Sequence, residues 1–181
     1  MQTQHYILRE IVDSDIKNIH KGLSDPEITK YYAVHFPTLE ATQEQMDWYS
    51  NLRKNGTGIW FAILNKDTGE FCGAGGFNDL DQQHKKAEIG MWLLKEFWGK
   101  GIMTETMPSL FDYAFTALSL NRIEGYVDSE NVKCKSGLEK INFTYEGTMR
   151  DCEIKNGETM SVDIYSILKK EWQLKAGIAQ I

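Results

Sequence analysis

The segment EFWGKGIMTET (96–106) sets a glycine on either side of Lys100, between a strand-like run and a helix-like one. Glycine costs backbone entropy inside regular structure, so a pair at an element boundary points to a geometric need. A tight turn is one such need. A loop whose amides approach a phosphate is another. The first turn of a helix leaves N–H groups unpaired at its positive end, and Lys100 would add a cation at the rim. The segment is not a Walker loop, which requires an upstream glycine and a Ser or Thr after the lysine. GAGG (73–76) is the other glycine cluster. A dinucleotide fingerprint needs glycine at its sixth position and a helix directly after it; here Asn78 stands there, and turn and strand follow. These glycines suit a strand that another backbone or a ligand approaches closely.

Other chemistries find little support. His5, His20, His35 and His84 show no metal-ligand spacing, so no metal site is expected. No Ser-His-Asp arrangement can be argued from spacing. Cys72, Cys134 and Cys152 are odd in number and form no CxxC pair, which reads as reduced thiols in a cytoplasm. The net charge of −6 disfavours binding to a nucleic-acid backbone and suits a cationic partner. No apolar run is long enough to cross a bilayer, and MQTQHYILRE lacks the basic and apolar regions of a signal peptide.

The elements that must position the glycine junction follow from periodicity. With 181 residues, 41% of them hydrophobic, the chain is expected to be a single domain, 1–181, with a real core. Strands are expected at 6–12, 58–64, 71–80, 86–94 and 121–128. Two more, 143–154 and 158–168, would be joined through Lys155-Asn156-Gly157, where Asn-Gly favours a tight hairpin turn. Helices are expected from Asp13 or Ser14 to about 24, over 38–55, after the glycine junction, and over 131–141. Met103, Met107, Leu110, Phe111, Ala114 and Leu118 recur at spacings of three and four, an amphipathic face. Asp25-Pro26 breaks the first helix, and KKEWQLKAG reads as a surface helix end. Trp48, Tyr49 and Leu52 read as core packing.

KAEIGMWLLKEFWGKGIMTE, LNRIEGYVDSEN, LEKINFTYEGTMRD and YSILKKEW, in that order, resemble the GNAT superfamily of N-acetyltransferases. Within it the chain looks most like the RimJ/RimL-type branch, which acetylates ribosomal-protein N-termini and other amines. The resemblance runs from YILREIVDSD to Trp172. It implies an α/β (α+β) GNAT fold: a mixed, mostly antiparallel central sheet of about 6–7 strands, splayed between the fourth and fifth, with about 4 flanking helices. It implies acetyl-CoA as donor, its pyrophosphate on the amides of Gly99, Lys100, Gly101, Ile102, Met103 and Thr104. The strand carrying Met91, Trp92 and Leu93 should bulge and splay, leaving a gap where pantetheine pairs with the open edge like an added strand. Asn131 matches a position near the thiol arm. The chain departs from the family pattern at Trp98 (often Gln or Arg), Met103 (Gly or Ala), Leu138 (in many members a tyrosine acid), Cys134 (Ser), Asn142 (Gly) and Ser161 (Asp).

Direct acetyl transfer needs a base to deprotonate the amine, a donor for the thioester oxygen and an easy exit for the thiolate. The resemblance places an acid at Glu88, which by strand alternation shares a face with Gly90 and Trp92; an aromatic neighbour would desolvate it and raise its pKa. The alternative is an ordinary surface glutamate. The oxyanion donor would be an amide near Trp92 or Leu93. Cys134 could protonate the leaving thiolate, or simply be a small core residue. Tyr31, Tyr32, His35 and Phe36, with Asp151 and Glu153 of the 149–158 hairpin, are expected to wall the acceptor pocket. The acceptor is read as a peptide or protein N-terminal α-amine. The alternatives are a small-molecule amine (polyamine, aminoglycoside or other antibiotic) and a non-catalytic acyl-CoA-sensing module; a homodimer stays open.

Overall fold

The computed structural model describes residues 1–32, 34–155 and 157–175. In chain order the elements are β1 (Tyr6–Glu10), α1 (Ile16–Leu23), α2 (Pro26–Thr29), α3 (Leu39–Asn55), β2 (Ile59–Asn65), β3 (Phe71–Asp81), β4 (Lys86–Leu93), α4 (Ile102–Thr116), β5 (Arg122–Asp128), α5 (Val132–Lys140), β6 (Thr144–Lys155), β7 (Glu158–Leu168) and α6 (Lys169–Lys175). One seven-stranded sheet has the order β1-β2-β3-β4-β5-β7-β6. The expected elements are all present, with shifted ends. The first strand stops at Glu10, and a 3-10 turn over Asp13–Asp15 leads into α1. Its organiser is Asp15, whose carboxylate accepts from the Val12 amide at 2.9 Å and from Arg9 at 2.7 Å. Pro26 opens a further helical turn, α2, because its missing N–H costs nothing at the first helical position. Asn156 and the last residues of KKEWQLKAG lie outside the described residues.

One feature of the sheet matters most. Every pairing is antiparallel except β4 with β5, and that parallel pairing lasts three rungs: Lys86–Arg122, Ala87–Ile123 and Glu88–Glu124. Beyond Glu88, β4 continues against β3 as far as Gly73–Leu93, and β5 continues against β7 as far as Asp128–Val162. The two half-sheets therefore part at Glu88 and Glu124. The expected bulge at 91–93 is not there: β4 runs one-to-one against β3 from Glu88 to Leu93, and the irregularity in that ladder lies at Asn78–Asp81. Loss of the partner strand opens the gap without an extra residue.

Both faces are covered. Leu110, Phe111 and Ala114 of α4 are wholly buried on the face that carries Phe61, and Ile19 of α1 on the opposite face, which carries Trp92. The GAGG glycines serve packing. Trp60 on β2 pairs with Gly76, which pairs with Gly90. A Cβ on Gly90 would come within 2.7 Å of the Trp60 ring. The indole thus lies across a lane that only side-chain-free residues leave clear.

Candidate active site

A cavity of about 770 Å³ occupies the gap between the half-sheets. Its β4 wall runs from Glu88 through Trp92, its β5 wall from Gly125 to Asp128, and α3, α4 and α5 all contribute side chains. Along the open edge of β4, the Met91 carbonyl accepts from the Tyr32 hydroxyl, and the Leu93 carbonyl accepts from Trp98 Nε1 at 2.8 Å. The Leu94 amide, by contrast, donates back to Cys72 of β3 at 2.9 Å. Backbone groups of an antiparallel strand alternate sides, so the amides of Met91 and Leu93 face the gap, whereas that of Trp92 faces β3. Of the two amides named in the sequence for the oxyanion, the alternation favours Leu93. The Trp92 side chain points into the core, 4% exposed, with its Nε1 3.4 Å from the Tyr49 hydroxyl.

Glu88 lines the cavity at the last rung before the strands part. Burial pushes its carboxyl up to about 7, helped by the charges of Asp79 and Glu124 and partly opposed by a hydrogen bond from Asn78. Neutral pH therefore falls in the range where it exchanges protons.

The glycine junction has the geometry of a cradle. Gly99 and Gly101 take φ of 73° and 76°, the left-handed region that other residues adopt only with strain. A Cβ added at either meets nothing within 4 Å, so the space in front of both is open. No side chain caps α4, and its first-turn amides, those of Ile102, Met103 and Thr104, lack intrahelical partners. Glu105 is turned away: its carboxylate accepts from Thr3 at 2.6 Å and from the His5 amide at 2.7 Å. Lys100 lies 5.1 Å over the Phe97 ring. These residues fit a diphosphate ligand. Met103 is accommodated because it turns toward α5, where a Cβ on Gly137 would come within 3.2 Å of its sulfur.

At the opposite wall, Asn131 caps α5 by accepting from the Cys134 amide at 3.1 Å, and both residues line the cavity. Burial pushes the Cys134 thiol up to about 11, which keeps it protonated. Leu138, buried, closes the wall with no polar group. Asn142 takes φ of 72°, a conformation that Asn tolerates and that accounts for a glycine being frequent there.

Not all of the residues expected to wall the acceptor line the cavity. Tyr31, Tyr32, Phe36 and Glu153 line the cavity. His35 does not; it is exposed, with Nδ1 3.3 Å from Thr29 Oγ1. Asp151 does not either. Its φ of 48° belongs to an irregular stretch where β6 loses register between Met149 and Glu153, and this turns it outward. Trp48 and Tyr49, read as core, are cavity residues, and Trp48 is 39% exposed. They cluster with Trp60 at ring separations of 5.4–5.9 Å. Trp60 Nε1 is buried without a hydrogen-bond partner among the described residues. Glu44, Gln45 and Asn78 also went unread. For the α3 pair the clue was Glu44, Gln45 and Trp48 sharing one face of that helix beside Tyr49; Asn78 on β3 carried no such signal.

A splayed parallel pair, a glycine cradle at a helix start and a titratable carboxyl in the gap coincide with a match of residues 5–144 to the Acetyltransferase (GNAT) domain family. The chain belongs to the GNAT acetyltransferases. It is 36% identical over 173 residues to an uncharacterized N-acetyltransferase, p20, of Bacillus licheniformis, covering 95% of this chain and 97% of that one. It is 43% identical over 105 residues to the putative ribosomal N-acetyltransferase YdaF of Bacillus subtilis, covering 58% and 57% of the two chains. This agrees with the RimJ/RimL-type resemblance. Among solved structures, spermidine N-acetyltransferase from Vibrio cholerae, in complex with CoA and spermine, superposes with a TM-score of 0.82 at 24% identity, covering 93% and 98%. This GNAT chain is an acetyl-CoA-dependent N-acetyltransferase. Among the described residues no group of His, Cys, Asp and Glu is arranged to hold a metal, and no helix is long and apolar enough to cross a membrane.

Proposed function

We propose that the acceptor is a peptide or protein N-terminal α-amine, with Glu88 as the general base. The observation that carries this is the Glu88 carboxyl, raised to about 7 at the mouth of the splay. An α-ammonium has a pKa of about 8 and a lysine-like or polyamine ammonium one of about 10, so a base near 7 is matched to the former. Acetyl-CoA supplies the activated acetyl group. Residues 99–104 would hold its diphosphate, and the gap edge of β4 at Met91 and Leu93 its pantetheine arm. In this reading the amide of Leu93 donates to the thioester oxygen. Glu88 takes the proton that the amine loses, and the aromatic wall of Tyr31, Trp48 and Tyr49 excludes water around it.

One observation favours a second reading. Aromatic rings interleaved with Glu44 and Glu153 also suit a polycation, and the Vibrio cholerae relative acts on spermidine. Mass spectrometry on a panel of free-N-terminus peptides, blocked peptides containing lysine, spermidine and an aminoglycoside separates the two. Acetylation confined to α-amines supports the first reading. Acetylation of spermidine without peptides replaces it with the second.

A further inference from the structure

Tyr32 reaches the gap from the side opposite α5. Its hydroxyl donates to the Met91 carbonyl, three residues beyond the last β4–β5 rung. The segment that carries it is fixed. The Tyr32 amide donates to the Thr29 carbonyl at 3.0 Å, and the Tyr32 carbonyl accepts from Lys155 Nζ at 2.7 Å. Lys155 also donates to the carbonyls of Thr29 at 3.3 Å and Lys30 at 2.5 Å, tying the hairpin tip to this stretch. Cys134 and Leu138 of α5 line the same cavity, and Leu138 offers nothing to a developing anion.

We propose that Tyr32 is the hydrogen-bond donor to the departing thiolate sulfur, supplying from the α2 side of the gap what a tyrosine at position 138 would supply from α5. This rests on reading the gap as the thioester site. The balance is simple. The α-ammonium first gives one proton to Glu88, which passes it to solvent. The amine nitrogen then bonds to the acetyl carbon as the carbon–sulfur bond breaks, its second proton passes to the freed Glu88 carboxylate, the sulfur leaves as thiolate, and Tyr32 keeps its own proton. Burial, with the neighbouring Cys134 and Tyr49, raises the phenol above its ordinary value. A thiolate whose thiol has a pKa of about 8.5 is a weaker base than that phenolate, so full transfer runs uphill while hydrogen-bond donation does not. The Met91 carbonyl, with two lone pairs, can serve a ligand amide whether or not the hydroxyl turns away.

The test is the acidity of the CoA thiol bound to the protein, followed by the ultraviolet absorbance of its thiolate against protein alone. A donor aimed at sulfur makes that thiol more acidic. Tyr32→Phe should therefore leave a bound thiol roughly 10- to 100-fold less acidic, the range of a hydrogen bond to a charged group, and lower kcat by a similar factor. CoA affinity should hold within about threefold, since the phenol acts on the sulfur and not on the diphosphate. Equal thiol acidity in the two proteins overturns the assignment to Tyr32 alone. If wild type does not bind CoA, the reading of the gap falls and this inference with it. Should Tyr32→Phe not fold, 3-fluorotyrosine in place of Tyr32 keeps the shape and strengthens the donor. The bound thiol should then be more acidic than in wild type, and unchanged acidity overturns the proposal.

Discussion

Glu88 and Glu124 stand opposite each other on the last rung that β4 and β5 share, and their surroundings drive them apart. Burial also pushes Glu124 up, but hydrogen bonds from Arg122 at 2.7 Å and Lys86 at 3.1 Å hold its carboxyl below the usual range. Glu88 has no such cation among the described residues and is raised. Two carboxyls separated in this way suit different roles: Glu124 that of a fixed anion, and Glu88 that of the proton acceptor proposed for it.

It follows that kcat/KM should climb with pH and level off above about 7, as Glu88 loses its proton. Glu88→Gln keeps the shape, cannot accept a proton, and should lose about 10²–10⁴-fold in kcat along with the inflection. Stability moves the other way. A carboxyl raised from 4.5 to about 7 in the folded state stabilises the fold at low pH, and that contribution disappears as pH rises through 7. Glu88→Gln should thus be more stable than wild type at pH 8, by on the order of 3 kcal/mol, with the gap narrowing toward pH 5. Denaturant titrations at the two pH values check this. A wild-type pH–rate profile that is flat across 6 to 8 with a good acceptor would remove Glu88 from the base role.

The phosphate cradle separates strain from ligand contact. Gly101→Val places a β-branched residue at φ 76° in the open space before α4, costing stability and blocking the diphosphate. Acetyl-CoA at 100 times its dissociation constant should stabilise wild type by about 2.7 kcal/mol and the variant by almost nothing. Gly56→Val is the control. Gly56 ends α3 at φ 69° with similarly open surroundings, so it carries the strain without the ligand site. A preserved acetyl-CoA shift in Gly101→Val would dismiss the cradle.

Gly22 shows how the wall behind the gap is held. A Cβ there would come within 2.2 Å of the Trp92 ring, which is 4% exposed and has little room to move. Alanine is ordinarily better in a helix than glycine by about 1 kcal/mol. Gly22→Ala should nonetheless destabilise, by roughly 1–3 kcal/mol, because overpacking a rigid ring outweighs propensity. Thermal melts decide the sign, and a raised melting temperature would mean that α1 slides freely over β4.

How much of this was legible in the sequence depended on whether a residue's physical demand is local. The cradle was readable because a positive φ is written as glycine, at Gly99 and Gly101. The splay came through the resemblance, since nothing in KAEIGMWLL says where its parallel partner stops. The acceptor wall was only half readable. Trp48 and Tyr49 recur on α3 just as core residues do, and burial alone separates a pocket from a core. His35 and Phe36 lie in an irregular stretch with no period to assign their sides. Asp151 and Glu153 share a face in a regular strand, and only the register loss after Met149 parts them.

Lys155 links the two halves of the proposed acceptor wall. Its ammonium serves three carbonyls from Thr29 to Tyr32 and ties the β6–β7 hairpin to the segment bearing Tyr31 and Tyr32. Lys155→Met removes those donors while keeping most of the stem. The acceptor KM should rise several-fold, in keeping with hydrogen bonds that contribute about 0.5–1.5 kcal/mol each. Acetyl-CoA affinity should be unchanged. Initial rates with each substrate varied in turn would show this, and an unchanged acceptor KM would mean that the segment holds its place unaided.

Charge at the cavity rim gives the last test. Glu153 and Glu44 line the cavity, Glu88 is anionic above about 7, and the whole chain carries −6. A cationic peptide should be drawn to this mouth, so its kcat/KM should fall as salt rises through the range where the screening length shrinks from about 10 Å toward 3 Å. Glu44→Gln combined with Glu153→Gln should flatten that dependence and leave acetyl-CoA binding alone, since neither residue is on the α4 side. Asp151→Asn should matter less, because the irregular stretch of β6 turns that side chain away from the cavity. A neutral acceptor amine should show a weak salt effect in every variant. Salt-independent turnover of a cationic peptide by wild type would mean that the rim carboxylates do not steer the acceptor, and that the aromatic wall selects it by shape.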